Sequence, residues 1–300
     1  MRIGFIGVGN MGGPIATHLI SAGHELLVFD LNDDATRPLA ELGAKPVSSA
    51  AATAGDSEAV FLSLPMPRDV EEVVSGADGL FSVMNPGQTV IDLSTSSPTL
   101  SRSLALEGQE RGIDFLDAPV SGGVHGARKG TLAVMVGGSE KAFKRTMPLF
   151  ELFAAKAVRC GDTGAGNVVK AVNNMLAFVS MMGATEALLL GTKAGVDPKV
   201  LLEVVEASTG TSFVWSSGTR AILRDRLAPS FTSALACKDI GLAVDLADEL
   251  EVPVPMGRHT RQLLETYRDN GFADEDILAT VRALEDEANF VVRGLAPDIH

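Results

Sequence analysis

The sequence predicts an α/β N-terminal domain over residues 1–162 and an all-α domain over residues 163–300, joined by one long helix. Three observations predict it. Short apolar runs at RIGFI (2–6), ELLVFD (25–30), AVFLSL (59–64) and QTVIDLS (88–94) end in turn clusters and read as buried strands of a parallel sheet. Between Gly161 and Gly195, about two dozen residues pass without proline or a turn pair, which reads as a single helix. After Val196 the periodic runs are all helical, separated by proline, glycine or serine. A chain of 300 residues with 46% hydrophobic content lies at the size where one core gives way to two.

Composition excludes several partners. A formal net charge of −13 without a basic cluster argues against nucleic acid or an anionic membrane surface. The apolar half of the long helix, Met175 to Leu190, falls short of the ~20 residues a membrane span needs and contains Glu186. Two cysteines, Cys160 and Cys237, are too few for a disulfide framework, and the start MRIGFIGVG enters a strand directly. A reducing, cytoplasmic location is the expectation. The five histidines are scattered without ligand spacing, so no metal is expected.

The first strand runs into Gly7-Val8-Gly9-Asn10-Met11-Gly12 and then a small-residue helix, GPIATHLISAG. In this setting Gly-x-Gly-x-x-Gly has a mechanical meaning. The first glycine makes the turn, the second lets backbone approach a pyrophosphate, and the third lets helix and strand pack closely. The second strand ends on Asp30, where a carboxylate accepts hydrogen bonds from the adenosine ribose. It would repel a 2′-phosphate, and Leu31 and Asn32 stand where an arginine would be needed. NAD is therefore expected over NADP.

The clusters Pro65-Met66-Pro67 and Ser94-Thr95-Ser96-Ser97-Pro98 follow the next two strands. They either line the cofactor at the carboxyl ends of the sheet or simply start helices. From Gly112 the chain reads GIDFLDAPVSGGVHGARKGTLAVMVGG, two strand-like runs around a glycine-rich loop that is either an anion-binding nest or an ordinary hairpin. On the long helix Gly166, Lys170 and Asn174 recur every four residues, with Asn173 beside them, so a bare notch lies next to an amine and an amide. Lys238-Asp239 opens the helix DIGLAVDLADEL, from which the lysine either reaches back toward a site or is simply solvated.

Taken together, GFIGVGNMG (4–12), DLSTSSP (92–98), DAPVSGGVHGARKGTL (117–132), GAGNVVKAVNN (164–174) and CKDIGLA (237–243) resemble the β-hydroxyacid dehydrogenase family in order and spacing. That family includes 3-hydroxyisobutyrate dehydrogenase, tartronate semialdehyde reductase and glyoxylate–succinic semialdehyde reductases. The resemblance implies a Rossmann N-terminal domain, a long interdomain helix and an α-helical C-terminal domain, with the site in the cleft between them. It makes Lys170 the catalytic lysine and Asn174 a substrate-orienting amide. Ser121, Gly122 and Gly123 would hold the substrate carboxylate. Gly7, Val8, Gly9, Asn10, Met11, Gly12, Asp30, Leu64, Pro65, Met66 and Thr95 would contact the dinucleotide, with Lys238 near its nicotinamide end. An Asn-Arg pair often replaces Asp30-Leu31 in members that use NADP, which agrees with the choice of NAD.

The implied activity is hydride transfer between NAD(H) and a small 3-hydroxy acid or its semialdehyde. Two other readings differ in kind: an imine reductase, and a dinucleotide-binding module without catalysis. Both usually carry another residue where this chain keeps Lys170. The segment from Ser208 to Ala236 fits the family loosely, and its Trp215 and Phe231 lie either at a pocket mouth or in the core. A helix apolar on most faces needs more cover than one chain supplies, so a homodimer or homotetramer is expected.

Overall fold

A computed structural model describes residues 1–292. It forms two compact units, Met1–Ala171 and Val172 onward, and the division falls inside the long helix and not at its start.

In the first unit, strands and helices alternate. Strand β1 (Arg2–Ile6) leads into α1 (Gly12–Ser21), β2 (Glu25–Phe29), α2 (Asp33–Glu41) and the two-residue β3 (Lys45–Pro46). Next come β4 (Ala59–Leu62), α3 (Pro67–Ser75), β5 (Thr89–Asp92), α4 (Pro98–Glu110) and β6 (Asp114–Asp117). The unit continues with β7 (Val120–Ser121), α5 (Gly123–Lys129), β8 (Leu132–Gly137), α6 (Glu140–Phe150) and β9 (Ala154–Gly161). The nine strands form one sheet, ordered β3-β2-β1-β4-β5-β6-β8-β7 with β9 pairing β8. Pairing is parallel from β3 to β6; β8 then runs antiparallel to β6 and β7 and parallel to β9.

The central strands β1, β4 and β5 are buried along nearly their whole length, as strands covered by helices on both faces are. Alternate residues sort into two cores. Phe5, Phe61, Ile91 and Leu116 belong to one cluster, and their neighbours Ile6, Leu62, Val90 and Phe115 to the other. Phe5 and Phe61 stack on adjacent strands with ring centroids 5.6 Å apart. Strand order reverses between β1 and β4, so the carboxyl ends of these strands diverge into the crevice where open α/β sheets bind ligands.

The long helix α7 spans Ala165–Lys193. Taken whole, it is long and apolar enough to cross a membrane by length and composition alone. One side is nonetheless core: Phe178 and Met181 belong to one cluster of the second unit and Leu188 to another. The other side shows Leu176 and Leu190 to solvent, the latter 74% exposed.

In the second unit α7 is followed by α8 (Pro198–Glu206), α9 (Phe213–Leu223), α10 (Ser233–Glu249), α11 (Pro255–Tyr267) and α12 (Val281–Ala288). Asp197, Ser212 and Thr232 cap α8, α9 and α10 by accepting backbone N–H bonds. Asp276 fastens the loop before α10 by accepting from the amides of Ser230 and Phe231 and from the Ser230 hydroxyl. Trp215, 2% exposed, is a core residue whose indole donates to the Leu202 carbonyl at 3.5 Å. Phe231 stacks on Phe178 with centroids 5.9 Å apart.

Candidate active site

The glycine turn after β1 has the geometry that its sequence requires. Gly7 adopts φ +82°, and a Cβ there would lie 2.3 Å from the Ser63 carbonyl oxygen. A Cβ on Gly12 would come within 1.9 Å of the Gly7 oxygen, so strand and helix approach each other at backbone distance. Gly9 differs: a Cβ there would meet nothing within 4 Å. The missing side chain at Gly9 thus opens space in front of the turn and not inside the fold. That is the requirement of a pyrophosphate running past backbone amides at the start of α1, and these residues fit a dinucleotide.

Asp30 sits just past the end of β2 and is tied to the turn. One carboxylate oxygen accepts from the Val8 amide at 2.8 Å, and the other from the Asn32 amide at 2.9 Å. Each oxygen keeps a lone pair for a ribose hydroxyl. Leu31 projects into solvent, 95% exposed, and Asn32 is occupied in capping α2.

The two turn clusters start helices and lie at the carboxyl ends of their strands. Pro67 and Pro98 stand in the first turns of α3 and α4, and Ser97 caps α4. The segments just before them, Leu64-Pro65-Met66 and Ser94-Thr95-Ser96, lie at the carboxyl ends of β4 and β5. They are joined by a bond from the Leu64 amide to the Ser94 hydroxyl at 2.9 Å. Thr95 is half-buried between Ser94 and Ser96.

The glycine-rich stretch is neither an open loop nor a plain hairpin. Ser121 ends β7, paired to Ala133 of β8, and Gly122 and Gly123 turn with φ +129° and +61° into the short helix α5. Helical periodicity there was masked by glycine. Val124, Ala127 and the basic end Arg128-Lys129 carry the turn, and Gly130 closes it in the left-handed region.

Asp117, at the end of β6, is buried and anchors the start of α7. Its carboxylate accepts from the Gly164 amide at 2.7 Å and from the Asn167 amide at 2.8 Å. Burial pushes its pKa up to about 6, against the pull of those amides and of the Gly166 N–H. Asn167, also buried, accepts from the Ser96 amide at 3.0 Å and donates to the Ser101 hydroxyl at 3.1 Å. Lys170 follows one turn later and is only 8% exposed.

Asn174 lies a further turn along α7, 7% exposed. Its Nδ2 donates to Asp239 at 2.7 Å, and its Oδ1 accepts from Asn173 at 3.1 Å. The other Asp239 oxygen pairs with Lys238 at 2.8 Å, in a nearly enclosed setting. Lys238 therefore does not open a helix: α10 begins at Ser233, and the lysine stands in its second turn. The structure thus gathers the expected residues into local sets. Gly7–Gly12 joins Asp30, Leu64–Met66 joins the Thr95 segment, and Asn174 joins Lys238.

Sequence reasoning missed Asp117 and Asp239. Asp239 was read only as the neighbour of a lysine. Nothing in DAPVSGG marks Asp117 as the partner of a glycine turn 47 residues away. Among the described residues no group of three or more His, Cys, Asp or Glu could hold a metal ion.

A glycine turn at the reversal point of a parallel sheet, followed by a helical unit, defines a Rossmann-type NAD(P)-binding oxidoreductase. Residues 2–161 match the family model for the NAD binding domain of 6-phosphogluconate dehydrogenase. Residues 164–284 match the one described as NAD-binding of NADP-dependent 3-hydroxyisobutyrate dehydrogenase. The chain is 36% identical over 295 residues to 2-(hydroxymethyl)glutarate dehydrogenase of Eubacterium barkeri, covering 98% of each. It is 40% identical to 3-hydroxyisobutyrate dehydrogenase of Pseudomonas aeruginosa, over 88% of this chain and 91% of that one. The solved structure of Mycobacterium tuberculosis 3-hydroxyisobutyrate dehydrogenase with L-serine superimposes with a TM-score of 0.85 at 33% identity, covering 94% of this chain and 98% of that one. The chain belongs to the β-hydroxyacid dehydrogenase family.

Proposed function

We propose that this protein is an NAD-dependent dehydrogenase of a small 3-hydroxy acid, which also reduces the corresponding semialdehyde, with Lys170 as general acid/base. The observation that carries the reading is a buried lysine on α7, one turn before a buried amide and one turn after a framework tied to the Thr95 segment. Bound NAD supplies the hydride acceptor, and in the reverse direction NADH supplies the hydride. The protein's own residues do the rest.

In oxidation the neutral Lys170 amine takes the hydroxyl proton as the carbonyl forms; in reduction the ammonium returns it to the growing alkoxide. Asn174 orients the hydroxyl. Its Nδ2 is committed to Asp239, so its Oδ1 is aimed and can accept from the substrate O–H. Ser121, Gly122 and Gly123 hold the carboxylate, in a turn that Gly122 and Gly123 make at positive φ, where no side chain stands between a ligand and the backbone. Lys238 adds positive charge toward the nicotinamide end, tempered by Asp239. Pro65 and Met66 border the cofactor beside Leu64, and Val8, Asn10 and Met11 lie in the turn against the phosphates. A carboxylate at Asp30 favours a free ribose hydroxyl over a phosphate dianion, so NAD is the proposed partner and NADP the poorer one.

A homodimer or homotetramer in a reducing, cytoplasmic setting completes the reading. Exposed Leu176 and Leu190 on α7 support self-association, and free Cys160 and Cys237 suit that compartment. The test is a panel of C3 and C4 semialdehydes with NADH and NADPH, run alongside light scattering. Turnover with NADH at higher kcat/KM than with NADPH supports the proposal. No turnover with cofactor bound favours a non-catalytic module, and reduction of imines in place of semialdehydes favours an imine reductase.

A further inference from the structure

We infer that Asp117 and Asn167 form a positioning device that fixes the Lys170 turn of α7 in register with the Thr95-Ser96 segment. The inference rests on the proposed reaction and deepens it, because those two elements would carry the proton and the cofactor contacts respectively.

The geometry is specific to this pair. Asp117 holds two amides of the first turn of α7, those of Gly164 and Asn167, on its two oxygens. Asn167 then spends its side chain in the opposite direction. Its Oδ1 takes the Ser96 amide, one residue past Thr95, and its Nδ2 reaches the Ser101 hydroxyl on α4. Both side chains are essentially inaccessible to water, at 0% and 1% exposure. Each bond therefore lies where its loss leaves a buried group without a partner. The backbone is built for the approach: a Cβ on Gly166 would lie 2.3 Å from the Met135 carbonyl oxygen, and one on Gly137 the same distance from an Asp117 oxygen. The first turn of α7 can sit on the ends of β6 and β8 only because both residues are bare.

A helix start needs no such arrangement to be stable. Ser97 and Ser139 cap α4 and α6 with a single hydroxyl each, in settings that cost little. A buried carboxylate is an expensive cap, since its charge must be held away from water. What it provides in exchange is direction: two charged bonds fix the rotation and height of the turn that presents Lys170 three residues after Asn167. Through Asn167, the same framework fixes the Thr95 segment. Proton transfer depends steeply on such placement, and a shift of about 1 Å costs on the order of 100-fold.

The test compares Asp117→Asn, Asn167→Ala and Ser101→Ala with wild type in the full-length protein. Asp117→Asn keeps shape but turns one acceptor into a donor facing an N–H. Its kcat should fall about 10- to 100-fold while both KM values stay within about threefold. Asn167→Ala frees the Ser96 amide, so the Kd for NADH measured by fluorescence titration should rise about five- to tenfold. Ser101→Ala should show the same rise, but smaller. A lowered melting temperature with kcat within about threefold of wild type in Asp117→Asn, or unchanged NADH affinity in both other variants, overturns the inference. If Asp117→Asn does not fold, the NADH affinities decide. If wild type turns over no hydroxy acid or semialdehyde, the proposed reaction fails, yet a raised Kd in Asn167→Ala still supports the tie between α7 and the Thr95 segment.

Discussion

The two ends of α7 share one buried stripe and use it for opposite purposes. Asn167, Lys170 and Asn174 occupy it near the start, and Phe178, Met181, Thr185 and Leu188 continue it toward the end. In the first part the buried side chains are polar apart from the small Ala171, and two carboxylates, Asp117 and Asp239, hold it. In the second the stripe is mostly hydrocarbon in two clusters, and Thr185 satisfies itself on the Met181 carbonyl at 2.9 Å. Burial by itself therefore says little about role. What separates site from core is whether the buried groups can exchange protons and hydrogen bonds with something that comes and goes.

The largest expected effect tests that separation directly. Lys170→Ala should lower kcat by about 10²- to 10⁴-fold, the range for loss of a general acid/base, and leave NADH affinity and melting temperature close to wild type. Steady-state kinetics with binding titration decide it; more than roughly a tenth of wild-type kcat, well above the range for such a loss, would mean that another group moves the proton. Leu188→Ala should do the reverse. Leu188 is fully buried, and its truncation should cost about 2–5 kcal/mol of stability while kcat per folded molecule changes little. Urea unfolding beside kinetics reads both, and a kcat loss comparable to that of Lys170→Ala would erase the distinction between the two ends.

How much of this was legible beforehand follows the same line. Period and punctuation revealed β1, β2, β4 and β5 and the extent of α7, because alternation, glycine and proline act locally. They also placed Gly7–Gly12, Asp30, Lys170 and Asn174 on their elements. They did not reveal α5, whose glycines hide a helical turn, and they took Lys238-Asp239 for a helix start where the structure has the second turn of α10. Asp117 and Asp239 stayed hidden for a deeper reason. Each acts on a partner far away in the chain, and no local spacing encodes a contact that only the packed fold creates.

The next effect concerns Asp117 and pH. Burial raises its pKa from an ordinary 3.8 to about 6, so the native state holds a proton that the unfolded chain has released between those values. Its contribution to stability is thus greatest below about pH 4 and is lost as pH rises through about 6, a change on the order of 3 kcal/mol. Cys160, whose thiol is pushed up by burial first and by the Asp117 charge second, faces the same region and titrates well above this window. Asp117→Asn removes the titrating group. The stability of the variant relative to wild type should improve from pH 4.5 to pH 7 by a large part of that amount. Denaturant unfolding at intervals across the range would show it, and a difference independent of pH would mean that the carboxylate is ionised throughout.

The smallest effect is expected beyond the other end of α7, at Asp197, which caps α8 as Asp117 anchors α7. Here the carboxylate is exposed and accepts one bond, from the Lys199 amide at 2.7 Å, while Pro198 already sets the first helical residue. An exposed cap exchanges one hydrogen bond with water for one with backbone, so Asp197→Ala should cost about 1 kcal/mol of stability. Water can replace the lost acceptor at this helix end, so no buried amide is stranded, in contrast to Asn167 when Asp117 is changed. Asp197 caps α8, a different helix from the one that carries Lys170, so kcat and NADH affinity should be unchanged. Unfolding in urea together with kinetics measures the contrast. A tenfold loss of kcat in Asp197→Ala would show that the far end of the helix couples to the reaction, and that its two ends are not separate in function.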